Sequence, residues 1–173
     1  MLGEQEFRDL MAGVCAPVTI VTTIQDDHPY GTTVSAFASL SLRPAMVSIA
    51  LDRKSSVLAR ITASGRFGVN VLGHAQSELA LGFARRTHDR FAGVPWRLDQ
   101  GLPRLLGAPG WLACDVQQSV EGGDHLLLLG AVTHADTRYA APLVYGHRQF
   151  GTHSAHTHPT ARTVTDQIAA CAR

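Results

Sequence analysis

The fold class is decided by the stretch Leu112-Ala-Cys-Asp-Val-Gln-Gln-Ser-Val120, Glu121-Gly-Gly-Asp124, His125-Leu-Leu-Leu-Leu-Gly-Ala-Val-Thr-His-Ala-Asp-Thr137. Gly-Gly and Gly-Asp pairs are strong signals for a hairpin turn. We therefore predict two long antiparallel strands, 112–120 and 125–137, joined by a turn at 121–124.

Outward from this hairpin, the apolar pattern predicts further strands and three helices. The helices are predicted at 5–14, from Ser55 to about Gly65, and at 76–86, and the strands at 18–23, 30–41 (with a bend), 45–51, 67–72, near Val144 and near Phe150, the last two closing the sheet. Residues 87–110 are rich in Gly and Pro and are predicted to be mostly loop. Since the helices do not alternate regularly with the strands, the sequence favours an antiparallel barrel over a doubly wound fold.

The length and the charge of the chain fit one domain with a hydrophobic core, because the chain has 173 residues and a formal net charge of only +1. The sequence has no cluster of basic residues of the kind that would indicate a nucleic-acid partner. It also has no apolar run that approaches the roughly 20 residues needed to span a bilayer. The three cysteines are odd in number and far apart, which favours a reducing cytoplasm over a disulfide framework or a cysteine metal site.

Two neighbouring segments predict a site for an anion. Gly31-Thr-Thr-Val-Ser-Ala-Phe-Ala-Ser-Leu40 offers small side chains, and Asp52-Arg-Lys-Ser-Ser56 places two cations where a helix is predicted to begin. Lys54 is the only lysine of the chain. A helix N-terminus with free N–H groups beside two cations is suited to phosphate. The alternative is that Ser55 merely caps a surface helix.

Acid–base machinery is sparse in this chain. Neither a Gly-x-Ser-x-Gly nor a His-Glu-x-x-His motif is present, which suggests that a cofactor supplies the chemistry. His125, at the end of the predicted hairpin turn, is the exception that we single out, although a histidine there is usually polar surface. Arg85, Arg86 and Arg90 with Asp89 either complement a helix dipole or contact a pyrophosphate.

The C-terminal tail differs in composition from the rest. His153, His156 and His158 crowd together, so a metal site is conceivable, but a loose extension is the interpretation that we favour. Residues 163–171 are predicted to add a short helix, which could pack against a partner subunit. We assign residues 1–150 to one domain and 151–173 to the extension, and we predict no metal.

An ordered set of motifs covers roughly residues 7–150. The motifs are Phe7-Arg8, Val18-Thr-Ile-Val-Thr-Thr23, Gly31-Thr-Thr-Val-Ser-Ala-Phe37, Asp52-Arg-Lys-Ser-Ser56, Arg66-Phe-Gly-Val-Asn-Val-Leu72, Phe83-Ala-Arg85, Asp89-Arg-Phe-Ala-Gly93 and Gly123-Asp-His125. With these motifs the chain resembles the short-chain flavin reductases, the reductase components of two-component flavin-dependent monooxygenases. It looks closest to those that serve aromatic polyketide oxygenases in actinobacteria.

The resemblance implies a mainly β, antiparallel Greek-key fold, the FMN-binding split barrel, with a few packed helices. It also implies roles for particular residues. Backbone groups at Thr33, Val34, Ser35, Ala36 and Ser39 would line the isoalloxazine. Asp52, Arg53, Lys54, Ser55 and Ser56 would hold the ribityl phosphate. Phe91 and Tyr145 would contact the flavin ring or the nicotinamide, and His125 would be the catalytic-site residue beside the nicotinamide.

The implied activity is reduction of free FMN or FAD by NADH or NADPH, with release of the reduced flavin to a partner monooxygenase in aromatic polyketide or other secondary metabolism. The protein would be a cytoplasmic homodimer with flavin sites near its interface, with no nucleic-acid or membrane partner. Three alternatives stay open: a flavin-retaining oxidoreductase or flavin carrier, a pyridoxamine-phosphate-oxidase-like or haem-binding split barrel, and a pure interaction domain.

Overall fold

The computed structural model describes residues 2–85 and 89–156, in which strands predominate. The helices are α1 (Glu4–Ala12), α2 (Ser56–Ser64) and α3 (Ser77–Ala84), with short 3₁₀ turns at His74–Gln76 and Ser154–His156. The strands are β1 (Ala16–Pro17), β2 (Thr19–Gln25), β3 (His28–Val34), β4 (Phe37–Leu42), β5 (Ala45–Asp52), β6 (Arg66–Val71), β7 (Trp96–Asp99), β8 (Leu102–Leu105), β9 (Gly110–Gly122), β10 (His125–Thr137), β11 (Val144–Gly146) and β12 (Gln149–Gly151).

Seven strands form one antiparallel sheet in the order β3-β2-β6-β9-β10-β5-β4. The predicted hairpin at its centre is confirmed, with His125 opposite Gly122. Its turn is shorter than predicted, because β9 continues to Gly122 and the reversal needs only Gly123, at φ 63°, and Asp124. Glycine adopts such a φ at no steric cost because it has no Cβ. The predicted fold class, mainly antiparallel β with a few packed helices, is confirmed.

The two outer strands of this sheet, β3 and β4, are consecutive in the chain, and only Ser35 and Ala36 separate them. The predicted bent strand at 30–41 is therefore two strands on opposite edges of the curved sheet. The Ala50 N–H donates to the Ala36 carbonyl at 3.0 Å, which ties the connection to β5. We call the connection Ser35–Ala36, with the strand ends that it joins, the seam.

The curved sheet encloses a core of aliphatic side chains and Phe67. Helix α2 contributes Val57, Leu58 and Ile61, as its apolar spacing predicted. Gly130 faces Phe67 so closely that a Cβ on this glycine would lie 2.5 Å from the ring. A second cluster, which includes Phe83 of α3 and Phe91, packs outside the curved sheet.

Two regions differ from the predictions. The strands near Val144 and Phe150 do not close the main sheet; they form a separate three-stranded sheet with β1, in the order β1-β11-β12. The predicted loop at 87–110 contains the β7–β8 hairpin. The side-chain oxygen of buried Asn70 accepts the Leu105 N–H at 2.8 Å, and the Thr22 hydroxyl donates to the Pro103 carbonyl at 2.7 Å. These long-range contacts fix β8 against the barrel, and local propensity does not reveal them.

Helix α1 leaves its apolar stripe uncovered. Phe7, Leu10, Met11 and Val14 are 44–69% exposed, although their spacing is that of a buried helix face. No helix among the described residues is long and apolar enough to cross a membrane. The division at residue 150 stays a prediction, and the predicted helix at 163–171 lies outside the described residues.

Candidate active site

A cavity of about 250 Å³ opens at the seam. It brings together two separate predicted segments, because β3 and the seam form one wall and the end of β5 with the start of α2 forms another. Among the predicted site residues, its lining includes Thr33, Val34, Ser35, Ala36, Asp52, Ser55 and His125.

The segment between β5 and α2 is a tight turn built on Asp52. The Asp52 carboxylate accepts the Lys54 N–H at 2.7 Å, and its carbonyl accepts the Ser55 N–H at 2.8 Å. Ser55 caps α2, since its hydroxyl accepts the Leu58 N–H at 3.4 Å. The cap uses only part of the helix terminus, because the first N–H groups of a helix have no partner inside it. The helix N-terminus thus offers positive partial charge beside the cavity.

The two cations of this turn have different surroundings. The Arg53 guanidinium lies 3.1 Å from the Glu121 carboxylate on β9, and the Arg53 N–H donates to the Asp124 carbonyl at 3.0 Å. Arg53 therefore fastens the turn to the β9–β10 hairpin. The Lys54 side chain is exposed and lies outside the cavity lining.

His125 is the first residue of β10 and faces Asp52 across the ladder with β5. Its Nδ1 lies 2.7 Å from the Asp124 carboxylate, and this hydrogen bond is the main cause that lowers the pKa of Asp124. An ionised Asp124 accepts a hydrogen bond from the Nδ1–H group, which leaves Nε2 of a neutral ring as the free acceptor. Asp124 thereby orients the imidazole. We did not single out Asp124 for this role from the sequence, although its place beside His125 in Gly-Asp-His is the available signal.

A larger cavity of about 500 Å³ lies next to the first, and Ser35 and Ala36 line both. Its other walls come from α1 and the small sheet, including Tyr145. Arg8 and Arg148 also line it, and the sequence interpretation passed over both because they lie far apart in the chain. The two cavities form one groove that runs along the seam.

Besides Arg53, Lys54 and Tyr145, three more predicted residues lie apart from the seam cavity. Ser39 is exposed on β4 opposite Val47. Phe91 is 6% exposed and stacks edge-on against Phe83 with ring centroids 4.9 Å apart. Ser56 lines a different cavity, together with Phe91. The Thr33 hydroxyl donates to the Ala80 carbonyl at 2.6 Å, so this side chain holds α3.

The described members of the second basic group are engaged in hydrogen bonds within the chain. Arg90 donates to the carbonyls of Arg85, at 2.9 Å, and Gly31, at 2.8 Å, while the Asp89 carboxylate accepts the Phe91 N–H. Arg86 lies outside the described residues.

The tail histidines form no metal cluster in the part of the chain that the structure describes. The rings of His153 and His156 lie 5.7 Å apart, and His158 is outside that part. No group of three or more His, Cys, Asp or Glu side chains there is placed to hold a metal ion.

The family model of the flavin reductase like domain matches residues 11–154, which include the seam, the Asp52 turn and the β9–β10 hairpin. The chain belongs to the flavin reductase family. This membership confirms the predicted family and class of enzyme, and with it flavin and a nicotinamide nucleotide as its cofactor and co-substrate.

Known proteins align with this flavin reductase over most of their length. It is 38% identical to the reductase component of a 4-nitrophenol 4-monooxygenase/4-nitrocatechol 2-monooxygenase from Rhodococcus opacus, over 87% of this chain and 81% of the relative. The structure of nitrilotriacetate monooxygenase component B from Mycobacterium thermoresistibile superposes with a TM-score of 0.85 at 32% identity, covering 92% of each chain. The NADH:FAD oxidoreductase SgcE6 of Streptomyces globisporus C-1027, in complex with NAD and FAD fragments, gives 0.84 at 30% identity, covering 91% of this chain and 94% of that one.

Proposed function

We propose that this flavin reductase takes NADH or NADPH and free FMN or FAD into the seam groove and releases reduced flavin to a separate monooxygenase. The observation that carries the proposal is the convergence at the seam of small-residue backbone, a helix N-terminus and His125. Such a groove suits a flat ring with a phosphate tail, because it offers backbone donors along one side and an anion site at one end.

The residues at the seam fit a flavin in two respects. The carbonyls of Ser35 and Ala36 accept N–H groups from Phe37 and Ala50, which fixes the direction of this stretch. The peptide N–H groups at Ser35 and Ala36 are then the donors that the polar edge of a ring would meet. The α2 N-terminus with Ser55 and Lys54 would bind the phosphate.

Bound side by side, the nicotinamide supplies a hydride and the flavin accepts it. The protein's part is to hold the two rings within about 3–3.5 Å of each other, which supplies much of the rate. His125, oriented by Asp124, would contact the nicotinamide. It would transfer no proton in the hydride step. His125→Ala should therefore raise the KM for NADH while leaving the KM for flavin nearly unchanged. Unchanged Michaelis constants for both substrates would contradict this role.

The exposed stripe on α1 supports a homodimer, since it lies beside the groove and leaves large apolar side chains in solvent. Leu10→Asp should shift the protein towards a monomer in sedimentation velocity, whereas Leu98→Asp, at another exposed apolar position, on β7, should not. A dimer that survives Leu10→Asp would place the interface elsewhere.

The cellular setting completes the proposal. The reductase components among its relatives support a monooxygenase partner. Three scattered cysteines support a reducing, cytoplasmic location. The polyketide or secondary-metabolic context stays a prediction.

The test is NADH oxidation by flavin-stripped protein, with and without added FMN or FAD. Rapid turnover that saturates with micromolar flavin, an affinity of about −8 kcal/mol, is the expected result for a releasable product. Stoichiometric flavin that resists removal would instead indicate a flavin-retaining oxidoreductase or carrier. A haem spectrum would indicate the other split-barrel branch.

A further inference from the structure

A third cavity, of about 280 Å³, lies beside the seam cavity at the start of α2. Its walls are the first half of β3, the first turns of α2 and residues 89–91. The two cavities share no lining residue, but consecutive residues of both elements line them: Ser55 and Thr32 line the seam cavity, and Ser56 and Gly31 line this one. A phosphate at the α2 N-terminus would therefore lie at the border of the two cavities.

The walls combine positive charge with aromatic surface. The Arg60 guanidinium carbon lies 3.7 Å from the centre of the Tyr30 ring, and its Nη1 donates to the Ser56 carbonyl at 2.8 Å. Its Nε is buried, and within residues 2–85 and 89–156 it has no hydrogen-bond partner. Tyr30 thus covers one face of this guanidinium, and Arg60 also lines the cavity, where a flat ligand would meet it.

The charge balance of the cavity is positive. Arg60 and Arg90 line it, and Asp89 is the only acidic side chain among its described lining residues. The Asp89 carboxylate is already engaged, because it accepts the Phe91 N–H at 2.8 Å. Arginine planes stack on bases, and arginine also binds phosphate, so these walls fit an adenosine phosphate.

We propose that this cavity holds the adenylate half of FAD, so that the protein binds FAD more tightly than FMN. This inference rests on the proposed function. FAD has, beyond the phosphate that it shares with FMN, a second phosphate and an adenosine. The cavity likewise begins at Ser56, the first residue of α2, and extends along the first half of β3. NADH also carries an adenosine diphosphate, and contact with the flavin-phosphate position is what favours FAD as the source.

The experiment measures dissociation constants for oxidised FAD and FMN by fluorescence titration without NADH, then the KM for NADH with each flavin. Arg60→Met keeps the apolar stem and removes the guanidinium. It should weaken FAD binding about tenfold more than FMN binding, as expected for loss of a charge-assisted hydrogen bond. Arg60→Lys, which keeps the charge without the planar fork, should restore only part of the FAD affinity.

The matched control is Arg43→Met, which removes the same charge in the turn before β5; this strand spans about 24 Å from Ala45 to Asp52. It should leave the ratio of FAD to FMN affinity as in the wild type. AMP should compete with FAD and not with FMN.

Three results would overturn the proposal. Equal loss of FAD and FMN affinity in Arg60→Met would assign the cavity to the first flavin phosphate. A higher KM for NADH with either flavin, at unchanged flavin affinity, would assign it to the dinucleotide. FAD and FMN affinities that both stay at wild-type values in folded Arg60→Met would leave the cavity without a ligand. If the wild type binds neither flavin, the proposed function itself fails, which the first titration shows before any variant is compared.

Discussion

Lys54→Met should weaken FMN binding more than any other single change in the Asp52 turn. The Lys54 side chain is exposed, whereas the guanidinium of Arg53 is 3.1 Å from Glu121. A unit charge about 4 Å from another is worth about 1 kcal/mol in water and about 4 kcal/mol at an effective dielectric constant of 20. Because Lys54 is exposed, we expect the lower part of this range, about 1–2 kcal/mol, or a five- to thirtyfold loss of affinity.

Arg53→Met should cost less than about 1 kcal/mol, because Glu121 already offsets its charge and exposed ion pairs contribute little. Glu121→Gln should leave FMN affinity the same or slightly higher, since it removes a competing anion. The assay is fluorescence titration with FMN and with riboflavin, which lacks the phosphate. The effect of Lys54→Met should be confined to FMN and should shrink between 0.1 and 1 M salt. Equal losses for FMN and riboflavin, or a larger loss in Arg53→Met, would refute the reasoning.

Four further predictions concern stability and thiol reactivity. Asn70→Leu leaves the Leu105 N–H without its acceptor, so chemical denaturation should show a loss of about 1–3 kcal/mol, and an unchanged midpoint would contradict the tie between β8 and the barrel. Gly130→Ala forces the Phe67 ring away from the 2.5 Å approach and should cost about 1–3 kcal/mol in the same assay, and an unchanged midpoint would contradict the tight packing of this ring. Burial raises the pKa of the Cys114 thiol from 9.0 to about 12, so peptide mapping at pH 8 should find exposed Cys15 alkylated first and Cys114 only after unfolding. The contribution of Cys114 to the free energy of unfolding should be constant below about pH 9 and fall from there to pH 12, because the unfolded thiol loses its proton first.

The sequence predicted the elements whose signals are local. Ser55 and Gly65 do bound α2, as an N-cap and a left-handed C-cap, and the Gly-Gly-Asp turn does join the two longest strands. The β7–β8 hairpin was missed because its position depends on Asn70, which lies 35 residues from its partner Leu105. The apolar stripe of α1 was predicted correctly from its spacing. Periodicity alone does not say whether the residues that bury such a stripe come from the same chain.

Part of the candidate site could be predicted from the sequence in the same way. The small residues at the seam and the residues of the Asp52 turn are recognisable there by their residue types alone. The roles of Arg53 and Arg60 do not appear there, because each depends on a neighbour from another element, Glu121 for one and Tyr30 for the other. Charge in a sequence shows that a cation is present, whereas geometry decides whether it is free to meet a ligand.

The contacts of Arg53 have a consequence for catalysis. Its N–H bonds the Asp124 carbonyl and its guanidinium pairs with Glu121, so the proposed phosphate-binding turn and the hairpin that carries His125 are fastened at two points. A ligand that orders the Asp52 turn therefore also restricts the hairpin on which the nicotinamide contact depends. Arg53→Met should then raise the KM for NADH as well as that for flavin, although Arg53 touches neither substrate in this arrangement. His125→Ala should raise only the KM for NADH, and that contrast in steady-state kinetics separates a residue that positions the hairpin from one that contacts the ring.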